Sequence, residues 1–297
     1  MHYILDPLYY AVSWVLVQFH SFAGLVTKNE SVRWSASIVL LVVLIRIILI
    51  PLFVRQIKSQ RALTALQPHM KEIQKRYKDD RQKQSEEMMK LYKEHKTNPL
   101  ASCFPILAQA PIFFALFTVL NGISTHKPHG LMRGEVLASA DNATFFGANL
   151  SSRFIGSGNT TTKVVTILLI LFMSASTFST QRQLMTKGMP KMDSSNNMML
   201  QQQKIMLYVF PVIFAISGVN FPVGVLLYWG TTNLWTFGQQ MYVIKRNPTP
   251  GSPAYDEWKK KQDKKNKNEV IDEDNQGSVA VEEPKGQRQQ PKRKKRR

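Results

Sequence analysis

The side chains best able to ligate a metal or attack a substrate are His2, His20, His69, His95, His126, His129 and Cys103, and their positions serve neither purpose. A zinc site needs four nitrogen or sulfur donors brought together at short, regular spacings. These histidines fall outside the apolar runs and share no such spacing with Cys103 or with acidic partners. Gly156-Ser157-Gly158 lacks the pattern of a nucleophile elbow, and a single cysteine excludes an internal disulfide. The expectation is a protein that is not an enzyme and has no metal site and no cofactor.

Arg46 is different. It interrupts Trp34 to Val54, an otherwise uncharged run of 21 residues that is long enough to cross a bilayer as a helix. A cation at membrane depth costs from about 3 to more than 10 kcal/mol, so it persists only if it snorkels, is paired, or faces a watery cavity. Its separation from Val54 is about 12 Å of helix rise, beyond the reach of a guanidinium, so snorkelling rescues it only partly. A structural, ion-paired arginine also fits this pattern. The functional reading takes precedence because intramembrane charge is rare and costly. The chemistry offered is attraction of a carboxylate.

Arg46 must be held by helices, and the chain supplies them. The mean hydropathy of −0.19 hides two populations. Apolar runs cover Trp34 to Val54, Cys103 to Asn121, Val164 to Ser179, Ile205 to Val219 and Val223 to Ile244, whereas Arg55 to Lys96 and Lys245 to Arg297 are dense in charge. This predicts an all-α polytopic membrane protein of five transmembrane helices, with a cytosolic helical hairpin and a disordered tail. The expected segments are 1–33 at the outer interface, a core over 34–244 that includes a hairpin at 55–97, and a basic tail over 245–297. A net charge of +19 suggests nucleic acid in a soluble protein. Here it follows topology, and DNA is not an expected partner. Lys and Arg number twelve in 55–96, three in 181–203 and sixteen from Lys245 onward, against two before Trp34, three in 122–162 and none in Asn220-Phe221-Pro222. The positive-inside rule then puts the N-terminus outside and the C-terminus in the cytoplasm of a bacterial cell membrane.

Ile4 to Val26 lacks a basic n-region and a small-residue cleavage site, so it does not read as a secretory signal. Asp6, Gln18 and His20 among its aromatics favour an amphipathic helix at the outer interface over a sixth span. In the charged segment, Leu63, Leu66, Met70, Ile73 and Tyr77 form one apolar seam, and Met88, Leu91 and His95 repeat the spacing after Lys78-Asp79-Asp80. That pattern predicts an antiparallel hairpin whose first arm is interrupted at Pro68. Polar residues recur on the cytosolic side of the other runs: Gln109, then Ser174, Ser176, Thr177 and Gln181, then Tyr228, Trp229, Thr231, Thr232 and Asn233. Amides in hydrocarbon seek water or a partner helix, so a cytosol-open hydrophilic recess and helix-to-helix bonding both remain open. Ile205 to Val219 gives about 22 Å of helix against a ~30 Å hydrocarbon core, a length that favours local thinning unless the helix continues through Gln202, Gln203 and Lys204.

The stretch PLFVRQIKSQRALTALQPHMKEIQKRYKDDRQKQSEEMMKLYKEHKTNPLASCFPILAQAPIFFALFTVL, from Pro51 to Leu120, resembles the YidC/Oxa/Alb membrane insertases. FFGANL (145–150), TFSTQRQLM (177–185) and FPVGVLLYWGTTN (221–233) are similar to later signatures of that family, in order. One departure is Asn98-Pro99-Leu100-Ala101-Ser102-Cys103, where the family carries a glycine before the cysteine. What precedes the core suggests a compact bacterial form. The resemblance implies five helices around a groove that is open to cytosol and lipid and closed outside. Arg46 corresponds to the groove arginine, and Gln109, Gln181, Tyr228, Trp229 and Asn233 are groove-associated. Nascent membrane proteins are the implied clients, delivered with or without the Sec translocon. The lipid bilayer is the receiving phase, and the basic tail is a candidate contact for the ribosome. A secondary transporter of an anionic solute and a ribosome tether are the competing readings. The lack of an inverted repeat argues against the first.

Overall fold

The structure is a computed structural model that describes residues 2–98, 104–189 and 204–264. Residues 99–103 and 190–203, with Gln202 and Gln203, and the basic clusters beyond Lys264 lie outside the described residues. The helices are α1 His2–Ala23, α2 Glu30–Ile48, α3 Ile50–Ala65, α4 Gln67–Arg76, α5 Arg81–Glu94, α6 Phe104–Thr125, α7 Gly134–Asn142, α8 Thr160–Gln183, α9 Phe210–Gly218 and α10 Val223–Arg246. Between α7 and α8 lies an antiparallel pair, β1 Thr144–Phe145 and β2 Ala148–Asn149, so the all-α expectation needs this small amendment. Five-residue π turns at Leu184–Gly188 and Ile205–Val209 extend α8 and precede α9. The chain divides into Met1–Tyr255 and Asp256–Arg297, and the described part of the second unit, 256–264, is helical.

The one helix expected over 34–54 is two. Pro51 offers no N–H to the Ile47 carbonyl, and its ring crowds that turn, which interrupts the helix at Leu49, just past Arg46. Leu49 N still donates to Ile45 O and Phe53 N to Leu49 O, each at 3.0 Å, so the interruption is confined to one residue. The seam of the charged segment breaks at Leu66, with Pro68 in the first turn of α4, where its missing N–H costs nothing. Asn29 starts α2 by accepting from Ser31 N and Val32 N, and Asn159 starts α8 by accepting from Thr161 N.

The core joins Leu16 of α1, Trp34, Ile38 and Leu41 of α2, Leu116 and Val119 of α6, and Val223 and Val225 of α10. One end of this bundle is capped. Phe146 and Gly147, at φ 49° and 81°, make the left-handed turn that a tight hairpin requires. The hairpin delivers the buried Ala148 and Leu150 onto the start of α10, where Gly224 N donates to Leu150 O at 2.8 Å and Val223 N to Ser152 O at 2.9 Å. Trp34 Nε1 donates to Ser139 Oγ (2.9 Å), and Thr144 N donates to Ser31 Oγ (2.9 Å), tying α7 and β1 to α2. α1 meets the same end twice. Leu131 N donates to Ser13 Oγ at 2.9 Å, and His20 stacks on Trp34 with ring centroids 4.2 Å apart.

The opposite end carries the charged arm. α4 and α5 run antiparallel, with Gln84 Nε2 donating to Gln74 O (3.4 Å) and Tyr92 OH reaching Met70 Sδ (3.8 Å). Asp80 caps α5 by accepting from Lys83 N. Leu66 and Leu91 are the buried apolar side chains of this arm among the described residues.

Candidate functional site

Arg46 leaves the core stripe of α2 and lies 5.6 Å over the ring of Phe53, two helical turns further on. Its guanidinium is also near enough to the Tyr228 phenol of α10 to interact with it electrostatically. Tyr228 is buried, at 5% exposure. Among the described residues no carboxylate pairs with Arg46. A cation–π contact and a neutral phenol compensate a guanidinium weakly compared with a carboxylate. Arg46 is therefore a cation held by apolar and neutral groups, with capacity for an anion.

The other residues singled out by sequence distribute around this point. Gln109 of α6 is half-buried, and its Oε1 is an enclosed acceptor with no donor among the described residues. One turn on, Phe113 approaches Tyr228 and Trp229 with ring centroids at 6.4 and 5.9 Å. Trp229 also packs on Phe214 (4.8 Å) and Phe221 (5.7 Å), an aromatic cluster joining α6, α9 and α10. Asn233 Nδ2 donates to Thr177 Oγ1 (3.2 Å) and to the Met173 carbonyl (3.4 Å), so this amide bridges α10 to α8. Gln181 is half-buried one turn past Thr177 on α8. The fold thus brings Arg46 to Tyr228 and Asn233 to Thr177, while Trp229 joins the apolar packing. Phe53 and Phe113 escaped the sequence reading. The seven-residue interval between Arg46 and Phe53, which places both on one helix face, was the available signal.

Two apolar helices, Glu30–Ile48 and Thr160–Gly188, are long enough to cross a bilayer, and the first carries an arginine that pairs with no carboxylate among the described residues, a combination that fits a helical membrane protein. Comparison with known proteins identifies the family. The description of the 60Kd inner membrane protein family matches residues 26–250, and the chain belongs to this family, that of the YidC membrane proteins. It is 59% identical to a membrane protein insertase YidC of Streptomyces avermitilis over 253 residues, 82% of this chain and 59% of that protein. It is 33% identical to a membrane protein insertase YidC of Tropheryma whipplei strain Twist, covering 99% of this chain and 95% of the other. A crystal structure described as an active YidC insertase with its first transmembrane domain resolved is similar at a TM-score of 0.50 and 26% identity, over 80% of this chain and 46% of that one. The chain thus spans little more than half of the Streptomyces protein and less than half of the solved chain.

Proposed function

We propose that this chain is a membrane protein insertase that receives nascent hydrophobic segments beside Arg46 and releases them into lipid. The observation that carries the reading is a cation without a carboxylate partner among the described residues, set between apolar helices beneath a sealed end. The names borne by the relatives support it. In this reading α2 with the start of α3, α6, α8, the segment 205–218 and α10 are five spans. The capped end faces outward and the arm faces the cytosol, as the distribution of Lys and Arg favours. α1, which meets the capped end at both Ser13 and His20, lies along the outer interface.

The mechanism follows from the physics of that arrangement. Arg46 attracts an acidic residue in the client's outer segment and draws it part-way across, sparing it the cost of hydrocarbon. Gln109 and Gln181 keep the path polar, Tyr228 holds the guanidinium in place, and Trp229 and Asn233 fix α10 against its neighbours. The client's apolar helix then slides into lipid. Burial of its surface drives completion, and the membrane potential adds about 2.3 kcal/mol per transferred charge per 100 mV. Nascent membrane proteins are the clients, the Sec translocon is an optional partner, and the basic tail offers the ribosome a phosphate-binding surface.

The test is a photocrosslinker at position 46 during synthesis of a membrane protein with an acidic translocated segment. An adduct with the nascent chain is expected. Its absence, with insertion intact, overturns the reading. Uptake of an anionic solute by purified protein in liposomes without a nascent chain would favour a transporter instead.

A further inference from the structure

We propose that the cleft between α2–α3 and α10 binds an anionic phospholipid of the leaflet on the arm side, an acyl chain lying in the cleft and the phosphate on Lys58. The cleft encloses about 760 Å³, with Val43, Ile50 and Ile57 on one wall and Leu234, Trp235 and Tyr242 on the other. It is a separate feature from the polar seam, since Arg46, Gln109 and Tyr228 do not line it. Along α10 its lining runs from Thr231 to Asn247, about 24 Å of helix rise. One leaflet of a ~30 Å hydrocarbon core is ~15 Å deep. The cleft therefore opens at headgroup level and has room for an extended chain.

Two observations choose the occupant. The walls are apolar, and water in such a space finds no polar partners, whereas lipid tails fill it without loss. Among the described residues Lys58 is the one charged residue of the lining and is exposed, Gln239 and Asn247 also line the cleft, and no carboxylate does so to compete for it. An ammonium at headgroup level favours a phosphate-bearing lipid of net negative charge over a zwitterionic one. The cleft also touches the polar seam through Phe53, which lines it and carries the Arg46 guanidinium over its ring.

The proposal rests on the transmembrane disposition described above, and its test separates the two. Full-length protein is reconstituted in vesicles containing phosphatidylglycerol or phosphatidylcholine brominated on the acyl chain. Quenching of Trp235 is taken as the difference between the native protein and Trp235→Phe. Brominated phosphatidylglycerol is expected to quench at about fivefold lower mole fraction than brominated phosphatidylcholine, and Lys58→Glu is expected to erase that preference. Equal quenching by both lipids in the native protein overturns the lipid site while leaving the membrane disposition standing. Absence of quenching by either overturns both. A client segment crosslinked to position 235 at the expense of lipid overturns it by naming a protein occupant.

Discussion

The two ends of the bundle use polar side chains in opposite ways. At the capped end a set of polar groups closes long-range contacts, although Ser35 Oγ and Thr166 Oγ1 find no partner among the described residues: Ser13 receives Leu131 N, Ser31 receives Thr144 N, Trp34 donates to Ser139, and Arg153 donates to Asn121 and Ser124. Met132, Ala140, Ala148 and Leu150 are buried beneath that network. At the arm end Gln109 keeps an unbonded acceptor among the described residues, Arg46 lacks a carboxylate, and α4–α5 rest on each other through a few contacts. Buried polar networks that are fully satisfied rigidify a fold, whereas an unpaired buried polar group or charge is costly until something pairs it. In the proposed reading, one end holds the barrier and the other receives the client.

If that is so, the largest loss of stability comes from the cap. Trp34 is 1% exposed, stacks on His20 and donates to Ser139, so Trp34→Ala removes core volume and leaves Ser139 without its donor. The expected loss is about 3–5 kcal/mol, read from thermal or denaturant unfolding in detergent. A loss under about 1 kcal/mol would show that the cap is not a structural keystone.

Next in size, and opposite in sign, is Arg46. Arg46→Leu removes a cation that has no carboxylate to compensate it among the described residues, and the fold should gain about 1–3 kcal/mol while insertion of clients with acidic translocated segments falls. Arg46→Lys should retain more insertion than Arg46→Leu, because attraction survives when bidentate geometry is lost. Loss of both stability and insertion in Arg46→Leu would mark a structural arginine. Unchanged insertion of every client, whatever its charge, would remove the electrostatic step.

These contrasts show what the sequence made legible. The apolar runs, the cation among them and the apolar seam of the arm are local patterns, and they read directly. The cap did not, because its bonds join residues far apart in a chain of mixed composition: Trp34 with Ser139, Ser13 with Leu131. No local periodicity encodes such pairs. Asn233 shows the same limit. An amide in an apolar run predicts a partner or water, and only the fold reveals that Thr177 is the partner.

A third effect is smaller. Leu91→Ala, at one of the arm's buried positions, should loosen α4–α5 locally while moving global unfolding by less than about 0.5 kcal/mol, because segments with few buried contacts open independently. Hydrogen exchange should show faster exchange in 67–94 than in α2 or α10 even before mutation. Equal protection would dissolve the contrast between the two ends.

The smallest effect on the fold should come from the tail, where the largest effect on partners is expected. The division at Tyr255 leaves the basic clusters outside the first unit, so a chain ending at Tyr255 should unfold like the full-length protein. Lys259-Lys260-Lys261, Lys264-Lys265, Lys267 and Lys292-Arg293-Lys294-Lys295-Arg296-Arg297 carry charge with no apolar pattern between them, which suits contact with ribosomal RNA phosphates. Such binding carries no sequence readout and releases a counterion for each phosphate neutralised, so it should weaken steeply as salt rises. Cosedimentation of both proteins with ribosomes across a salt titration separates the roles. The full-length protein should bind tightly at low salt and the shortened one weakly throughout. Equal binding at every salt concentration would move the ribosome contact to the arm, whose own excess of basic residues would then have to carry it.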